Sequence, residues 1–114
     1  SWKEKSWIAG IEIGSLSKAY DWNLLVSKGV INDMMDTNAI SVVVTPDHRS
    51  LFAFRRQSPD QQLAFRNDTL SDGFVDYYFS GKAIDTTVPS LKWIPVFQEY
   101  WHSWRTFHPS TQKY

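Results

Sequence analysis

The most aromatic segment of the chain is KWIPVFQEYWHSWRTFHPSTQKY, residues 92–114. Pro95 suits the first position of a helix, where the N–H that proline lacks would have had no partner. Pro109 disfavours helical backbone at the residue before it and so ends the pattern. The segment between the two prolines predicts an amphipathic helix. Its aromatic stripe is formed by Phe97, Tyr100, Trp101, Trp104, Phe107 and His108.

This stripe has two interpretations. Large aromatic side chains bury about 150–250 Å² each, so a helix rich in them can fill much of a small core. Alternatively, exposed Trp and Tyr rings would form a platform that stacks on sugars or bases. Because regular helical spacing on one face is what burial requires, we favour a helix that packs into the core.

Length and composition fit one folded domain. The 114 residues are 42% hydrophobic and are predicted to form a single compact domain over residues 1–114. Twelve basic and twelve acidic side chains give a net charge of zero, which argues against a nucleic-acid or anionic-membrane partner. No apolar run reaches the roughly 18 residues of a membrane span, so we expect no membrane insertion.

Cysteine and histidine usage limits the chemistry. The chain has no cysteine, which excludes disulfides, thiolate catalysis and cysteine-ligated metals. Its three histidines, His48, His102 and His108, do not follow a metal-ligand spacing. We therefore predict neither a metal site nor a cofactor.

The first part of the chain predicts two strands and a short helix. Trp7–Ile13 alternates as a strand does, and residues 18–20 form a short partner. Asp21 is suited to cap a helix over Trp22–Lys28, with Gly29 just past its end. Turn composition follows at Asn32, Asp33, Asp36, Thr37 and Asn38.

The middle of the chain predicts an antiparallel meander. Residues 40–45, 51–56, 63–66 and 74–79 have strand character, and their short connections favour hairpins over parallel crossovers. A polar loop is expected over residues 67–73. Alternation places five apolar side chains in the core: Phe52, Phe54, Leu63, Phe65 and Phe79. The predicted fold class is α+β, an antiparallel β meander or sheet packed by a C-terminal amphipathic, aromatic-rich helix.

The turn after residues 40–45 holds the side chains best suited to chemistry. A carboxylate beside an imidazole, as in Asp47 and His48, can orient a general base or a metal ligand, although Asp is also ordinary in turns. We take as candidate binding residues Asp33, Thr45, Asp47 and His48, and we assign no catalytic residue. Three arginines, Arg55, Arg56 and Arg66, form either a small basic patch or solvated charges at a sheet edge.

The C-terminal residues 101–114 resemble the closing segment of a mostly bacterial family known only as domain of unknown function 3179. Its members typically end in Trp-x-x-Trp, a few residues, and then His-Pro-x-Thr with an apolar or aromatic residue. The corresponding residues of this chain are Trp101, Trp104, His108, Pro109 and Thr111.

Shorter pieces agree in the same order. Residues 18–20 are similar to the family's Arg-Ala-Tyr-Pro, with Asp21 in place of the proline, and residues 30–33 are similar to its Val-Val-Asn-Asp. Residues 41–54 and 80–84 are similar to its Val-Val-Thr-Tyr-Cys-Pro…Phe and Gly-Lys-Ala-Ile stretches. The resemblance runs from about residue 7 to residue 114. It implies one compact domain of an extracytoplasmic bacterial protein, periplasmic or secreted, and no settled activity.

One departure from the family pattern bears on function. Thr45 and Pro46 stand where many relatives carry Cys-Pro, so a hydroxyl replaces the thiol. A hydroxyl is a far poorer nucleophile than a thiolate unless a base activates it. We expect Thr45 to be structural and to hydrogen-bond the backbone of the turn.

Three functions follow from these observations. We favour a non-catalytic binding or interaction domain of an exported bacterial protein, with a protein or small molecule as its partner. The alternatives are a small enzyme with a polar site near the Pro46 turn and a Trp-lined carbohydrate-binding module. A cleft that joins Asp33, Asp47 and His48 would favour the enzyme, whereas buried aromatic rings would argue against the carbohydrate module.

Overall fold

The computed structural model describes residues 2–114. Over that range the chain is mostly antiparallel strand with two short helices, so the predicted α+β class is confirmed. The elements in order are β1 (Trp7–Ile13), β2 (Leu16–Asp21), α1 (Trp22–Lys28), β3 (Val30–Met35), β4 (Asn38–Val44), β5 (Leu51–Arg55), β6 (Ala64–Arg66), β7 (Thr69–Ser71), β8 (Asp76–Tyr77), β9 (Lys92–Trp93), β10 (Val96–Tyr100), α2 (Trp101–Phe107) and β11 (Gln112–Lys113).

These strands form three sheets within the described residues. The first sheet has the order β10-β1-β2-β11, the second β3-β4-β5-β9 and the third β6-β7-β8. Neighbouring strands are antiparallel except for β11, which pairs with β2 in parallel. The predicted single meander is therefore divided between two of these sheets, with β4 and β5 in the second sheet and β6, β7 and β8 in the third.

The core is layered because β4 buries both of its faces. Ile40, Val42 and Val44 pack with residues of β1 and β2, which joins the first two sheets in a central core. Val43 points the other way and packs with Phe54 and residues of the third sheet. This alternation follows from strand geometry, in which successive side chains point to opposite faces of the sheet.

Helix α1 forms as its local signals predict. The Asp21 carboxylate accepts a hydrogen bond from the Leu24 N–H at 3.0 Å, which satisfies one donor of the first turn. At the other end the Gly29 N–H donates to the Leu25 carbonyl at 2.7 Å with a φ of 74°. Glycine adopts that backbone without a Cβ clash, so it stops the helix there.

The predicted helix over residues 95–108 is wrong in its first part. Val96–Tyr100 is strand β10, which pairs with β1 and places Tyr100 opposite Trp7. Helix α2 begins only at Trp101. The apolar and aromatic residues of this segment suit a strand as well as a helix, and the free edge of β1 decides between them through long-range pairing.

Two rings of the predicted stripe are buried. Trp101 and Trp104 pack against Ile8 and Ala19 on the outer face of the first sheet. Phe97, Tyr100 and Phe107 are exposed, so they do not share that face. The Trp104 ring lies over Gly10, where an added Cβ would come within 2.5 Å of it, and His108 stacks on Trp104 at 3.7 Å between ring centroids.

Two further predictions of local structure are corrected. Asn32 and Asp33 lie in the middle of β3 instead of in a turn, because their side chains bond partners far along the chain. The loop expected over residues 67–73 contains strand β7. The strand expected over residues 74–79 shrinks to Asp76–Tyr77, since Phe74 is almost fully exposed.

The predicted core residues of the meander lie where expected. Phe54 and Leu63 are buried. Three further phenylalanines are partly buried and pack against the same cluster: Phe52, Phe65 and Phe79. Phe52 and Phe54 share a face, with ring centroids 5.8 Å apart. The register of β5 is therefore as the alternation predicts.

Candidate functional site

The turn between β4 and β5 is built around Thr45, which is buried at the end of β4. The Thr45 N–H donates to the Ser50 carbonyl at 3.0 Å, and the His48 N–H donates to the Thr45 carbonyl at 2.8 Å. The Thr45 hydroxyl accepts from the Ser50 N–H at 3.1 Å and donates to Asp47 Oδ1 at 2.7 Å. Both the backbone and the side chain of Thr45 are thus engaged in closing the turn.

Asp47 is held as a carboxylate by this arrangement. The hydrogen bond from the Thr45 hydroxyl, together with one from the Arg49 N–H at 3.0 Å, lowers the pKa of Asp47 below its usual value. General bases act best when their pKa lies near the working pH. Asp47 is therefore suited to electrostatic recognition and poorly suited to take a proton from Thr45.

His48 lies beside this pair without joining it. Its backbone has a φ of 61°, uncommon for a residue with a side chain, and its ring is exposed. Within residues 2–114 the His48 ring makes no hydrogen bond to Thr45 or Asp47. The Thr45 hydroxyl therefore contacts the Asp47 carboxylate and not the His48 imidazole.

A shallow pocket opens next to the turn. It has a volume of about 380 Å³, and its lining includes Thr45, two aspartates, Asp47 and Asp68, and two phenylalanines, Phe52 and Phe79. Asp68 comes from the β6–β7 turn, so residues distant in sequence contribute to it. An apolar floor with a few polar groups is typical of small-ligand sites.

Asp33 lies away from this turn. Asp33 pairs with Ile40 on β4, and Ile40 lies five residues before Thr45. At roughly 3.4 Å per residue, Ile40 and Thr45 are about 17 Å apart along the strand. The structure thus brings together Thr45 and Asp47, places His48 beside them, and does not bring Asp33 into their pocket.

The Asp33 carboxylate instead joins the two larger sheets. Its Oδ2 lies 2.6 Å from the Lys18 ammonium nitrogen and accepts a hydrogen bond from the Tyr20 hydroxyl at 2.7 Å. Lys18 and Tyr20 belong to β2 and Asp33 to β3. Burial, with a further contribution from the Asp33 carboxylate, raises the pKa of Tyr20 far above its usual value. Tyr20 therefore acts as a hydrogen-bond donor at any physiological pH.

The neighbouring Asn32 is also structural. Its amide donates to the Leu63 carbonyl at 2.9 Å, and its oxygen accepts from the Leu63 N–H at 3.0 Å and from the Ser41 hydroxyl at 2.7 Å. These bonds attach the chain before β6 to the second sheet. The segments that resemble the family's Arg-Ala-Tyr-Pro and Val-Val-Asn-Asp stretches therefore contact each other and hold elements together.

Arg56 is 4% exposed, so it belongs neither to a surface patch nor to solvated charges at a sheet edge. Its guanidinium donates to backbone carbonyls of Asp33, Ile40, Pro59 and Gln61, at distances from 2.6 to 3.2 Å. Burial lowers the pKa of Arg56, and the nearby charge of Asp33 opposes that change. Arg56 is a buried cation that fixes the chain after β5.

Two cations that are far apart in the sequence lie close together. Arg55 and Lys92 are directly opposite each other on β5 and β9. No local signal pairs them, because β9 is only two residues long and lies far from β5 in the sequence. The β propensity of the residues just before Pro95 is the one sequence signal that favours a strand at Lys92.

Two general features complete the description. Across residues 2–114, no three His, Asp or Glu side chains converge as metal ligands would. None of the helices described is long and apolar enough to cross a membrane.

The chain has one match among the three kinds of comparison with known proteins. No curated protein sequence and no solved structure matches it. A family model described as "Protein of unknown function (DUF3179)" matches residues 1–111, which is nearly the whole chain. The chain therefore belongs to the DUF3179 family, as the C-terminal Trp and His-Pro pattern indicates.

Proposed function

We propose that this chain is a non-catalytic binding domain and that the pocket beside the Thr45 turn is a recognition site. The observation that carries the proposal is the 2.7 Å hydrogen bond from the Thr45 hydroxyl to Asp47. It fixes the turn and lowers the pKa of Asp47, and a carboxylate with a lowered pKa is a poor base for the hydroxyl. A pocket of this kind holds a ligand without changing it.

The chemistry of the pocket favours a ligand with a positively charged nitrogen. Asp47 and Asp68 supply two carboxylates, while Phe52 and Phe79 supply aromatic faces. Carboxylates attract ammonium and guanidinium groups, and a cation above an aromatic ring gains about 0.5–2 kcal/mol more. A protonated amine, on a small molecule or on a protein partner, can make both interactions.

The enzyme alternative draws less support from the geometry. It requires Asp33, Asp47 and His48 in one cleft, and Asp33 is instead bound to Lys18 and Tyr20. The carbohydrate alternative relies on exposed tryptophans. Trp93 is 67% exposed, but its indole N–H already donates to the Ser80 carbonyl, and Trp101 and Trp104 are buried.

The cellular setting is part of the proposal. The resemblance to a mostly bacterial family supports an exported, extracytoplasmic protein. Fractionation of the native host, followed by detection with an antibody, is the test. We expect the protein in the periplasm or the medium, and recovery in the cytoplasm would contradict this part of the proposal.

Binding at the turn pocket is tested by NMR titration of the ¹⁵N-labelled domain with benzylamine, with neutral benzyl alcohol as the matched control. We expect saturable amide shifts near residues 45–52 with the amine and much weaker shifts with the alcohol. Asp47→Asn should reduce the response to the amine, whereas Asp85→Asn, on a distant exposed loop, should not. Equal responses to both compounds would contradict a carboxylate site.

The absence of catalysis is tested separately. Chromogenic esters, phosphates and glycosides are incubated with the domain, and their turnover is measured. We expect rates equal to those of buffer. Turnover that disappears in His48→Ala or Asp47→Asn would establish the enzyme instead.

A further inference from the structure

A second open pocket lies at the end of β5 opposite the Thr45 turn. Its walls include Arg55, Gln57, Pro89, Ser90 and Lys92, and its volume is about 400 Å³. Small-molecule pockets typically occupy roughly 300–1,000 Å³, so this one has room for a small ligand. None of the four candidate binding residues derived from the sequence lines it, although Arg55 and Arg56 belong to the basic patch that the sequence offers as one alternative.

The pocket concentrates positive charge on one cross-strand pair. Arg55 and Lys92 are directly opposite each other, and like charges at opposed positions destabilise a sheet. Neither takes part in an ion pair among residues 2–114. The Arg55 guanidinium donates to the side-chain oxygen of Asn38, which is neutral. The fold thus keeps an unfavourable pair that it does not neutralise.

The surroundings add to this charge. Arg56 also contributes to the lining, and its buried guanidinium is bonded to carbonyl oxygens. No acidic side chain is among the described residues that line the pocket. Because the whole chain has a net charge of zero, the excess is local to this pocket.

Neutral donors lie on the same walls. The Gln57 amide donates one hydrogen to the Pro89 carbonyl at 3.1 Å, and a side-chain amide has two. The Ser90 hydroxyl oxygen accepts from the Ala83 N–H at 2.9 Å, and a hydroxyl that accepts still carries its own hydrogen. These groups are suited to the oxygens of a ligand.

We propose that the pocket bounded by Arg55 and Lys92 binds a small organic oxyanion, a carboxylate or a phosphate. The planar guanidinium of Arg55 can bond two oxygens at once, and the Lys92 ammonium adds a compact charge. The Pro89 ring and the methylene groups of Lys92 offer apolar contact to the carbon skeleton of the ligand. The bound anion relieves the repulsion between the two cations.

The test is an NMR titration of the ¹⁵N-labelled domain with sodium phosphate and, separately, with sodium succinate. Sodium chloride keeps the ionic strength constant, because salt screens exposed charges. We expect saturable shifts of the amides of residues 55–57 and 90–92 and of the Arg55 side-chain N–H. The anion that gives the tighter saturation identifies the class of ligand, phosphate or carboxylate.

Two matched pairs of variants separate the pocket from general surface charge. Lys92→Gln and Arg55→Gln should each weaken the apparent affinity about tenfold or more. Lys5→Gln and Arg66→Gln remove the same charges from exposed positions elsewhere and should leave the affinity unchanged. Lys92→Gln should also keep or raise the melting temperature, because it removes one of two opposed like charges.

Four results would overturn the proposal. Shifts that rise linearly without saturation would indicate screening only, and so would shifts of equal size at all basic residues. Parent-like affinity in Lys92→Gln would place the anion elsewhere. A clear fall in the melting temperature of Lys92→Gln would show that the Arg55–Lys92 pair stabilises the fold. None of these results bears on the amine site at the Thr45 turn, which is tested with a different probe.

Discussion

The ammonium nitrogen of Lys18 lies 2.6 Å from the carboxylate of Asp33, and the two residues belong to different sheets. Both side chains are largely shielded from water, at 12% and 16% exposure. The same oxygen of Asp33 accepts the Tyr20 hydroxyl. This contact links β2 to β3 across the edge of the central core.

We predict that Asp33→Asn lowers the free energy of unfolding by about 2 kcal/mol. The change leaves the Lys18 ammonium without its counter-ion in a poorly hydrated place, and charge-assisted hydrogen bonds contribute about 1.5–3 kcal/mol. Urea denaturation at pH 7 measures the loss. Asp36→Asn, on the exposed β3–β4 turn, is the control, and an equal loss in both variants would mean that the contact between the sheets is unimportant.

Trp104 provides the second prediction. Its ring packs between Ile8, Ala19 and Gly10, so Trp104→Ala should cost about 3–5 kcal/mol, as large-to-small changes in a core do. Phe107 belongs to the same helix but is 76% exposed, and Phe107→Ala should change stability by less than about 0.5 kcal/mol. If the two variants melt together, Trp104 does not organise this side of the fold.

The third prediction concerns Thr45. Thr45→Val should cost about 1 kcal/mol because it removes the hydroxyl that bridges Asp47 and the Ser50 N–H. Thr45→Cys, which replaces the hydroxyl with a thiol, should fold normally. Chemical denaturation and a heteronuclear NMR spectrum check both variants, with Thr86→Val on an exposed loop as the control. A Thr45→Val variant as stable as its parent would remove the structural role of the hydroxyl.

Acid stability provides the fourth prediction, through Asp72. Burial alone would raise the pKa of this carboxyl, but hydrogen bonds from the Val75 and Phe74 N–H groups and from Gln61 outweigh it and lower the pKa below its usual value. A carboxyl whose pKa is lower in the folded state stabilises fully above its unfolded pKa of about 4. That contribution disappears as the pH falls from there through the folded value.

The check is a series of urea denaturations between pH 7 and pH 2 on the parent and on Asp72→Asn. The asparagine cannot gain a proton, so the variant should lose less stability than the parent over the acid part of the series. Parallel profiles would show that Asp72 does not contribute to the acid dependence.

The fifth prediction is that the domain has no specific divalent-metal site. His48, His102 and His108 are dispersed, and the chain has no cysteine. Equilibrium dialysis against zinc should give no stoichiometric binding at micromolar concentration. A one-to-one site that disappears in His48→Ala would contradict this.

Local signals predicted the elements that are themselves local. Asp21 and Gly29 mark the ends of α1 because a cap and a left-handed glycine act within one turn. Alternation predicted that Phe52 and Phe54 share a face of β5, because successive side chains of a strand point to opposite faces. Where neighbouring residues suffice to determine the backbone, the sequence pattern is reliable.

The errors occur where distant partners determine the backbone. Val96–Tyr100 carries helical spacing but becomes a strand because β1 has an edge to pair with. Asn32 and Asp33 have turn composition but lie in a strand because Leu63, Lys18 and Tyr20 satisfy them. Such contacts cannot be read from composition.

The candidate site divides in the same way. Thr45 and Asp47 were predicted as neighbours because a short turn brings them together. Asp68 and Phe79 join their pocket through the third sheet, and Arg55 meets Lys92 through a long-range strand pair. Neither arrangement leaves a motif in the sequence.

The central claim is that Asp33 holds the fold together while Lys92 is available to bind. One thermal-shift titration with phosphate and succinate tests it on the parent, Asp33→Asn and Lys92→Gln. We expect Asp33→Asn to melt several degrees below the parent without anion and to keep the full anion-induced rise. We expect Lys92→Gln to melt at or above the parent and to lose that rise. The reverse pattern, in which Asp33→Asn loses the response to anions at unchanged stability, would contradict the account.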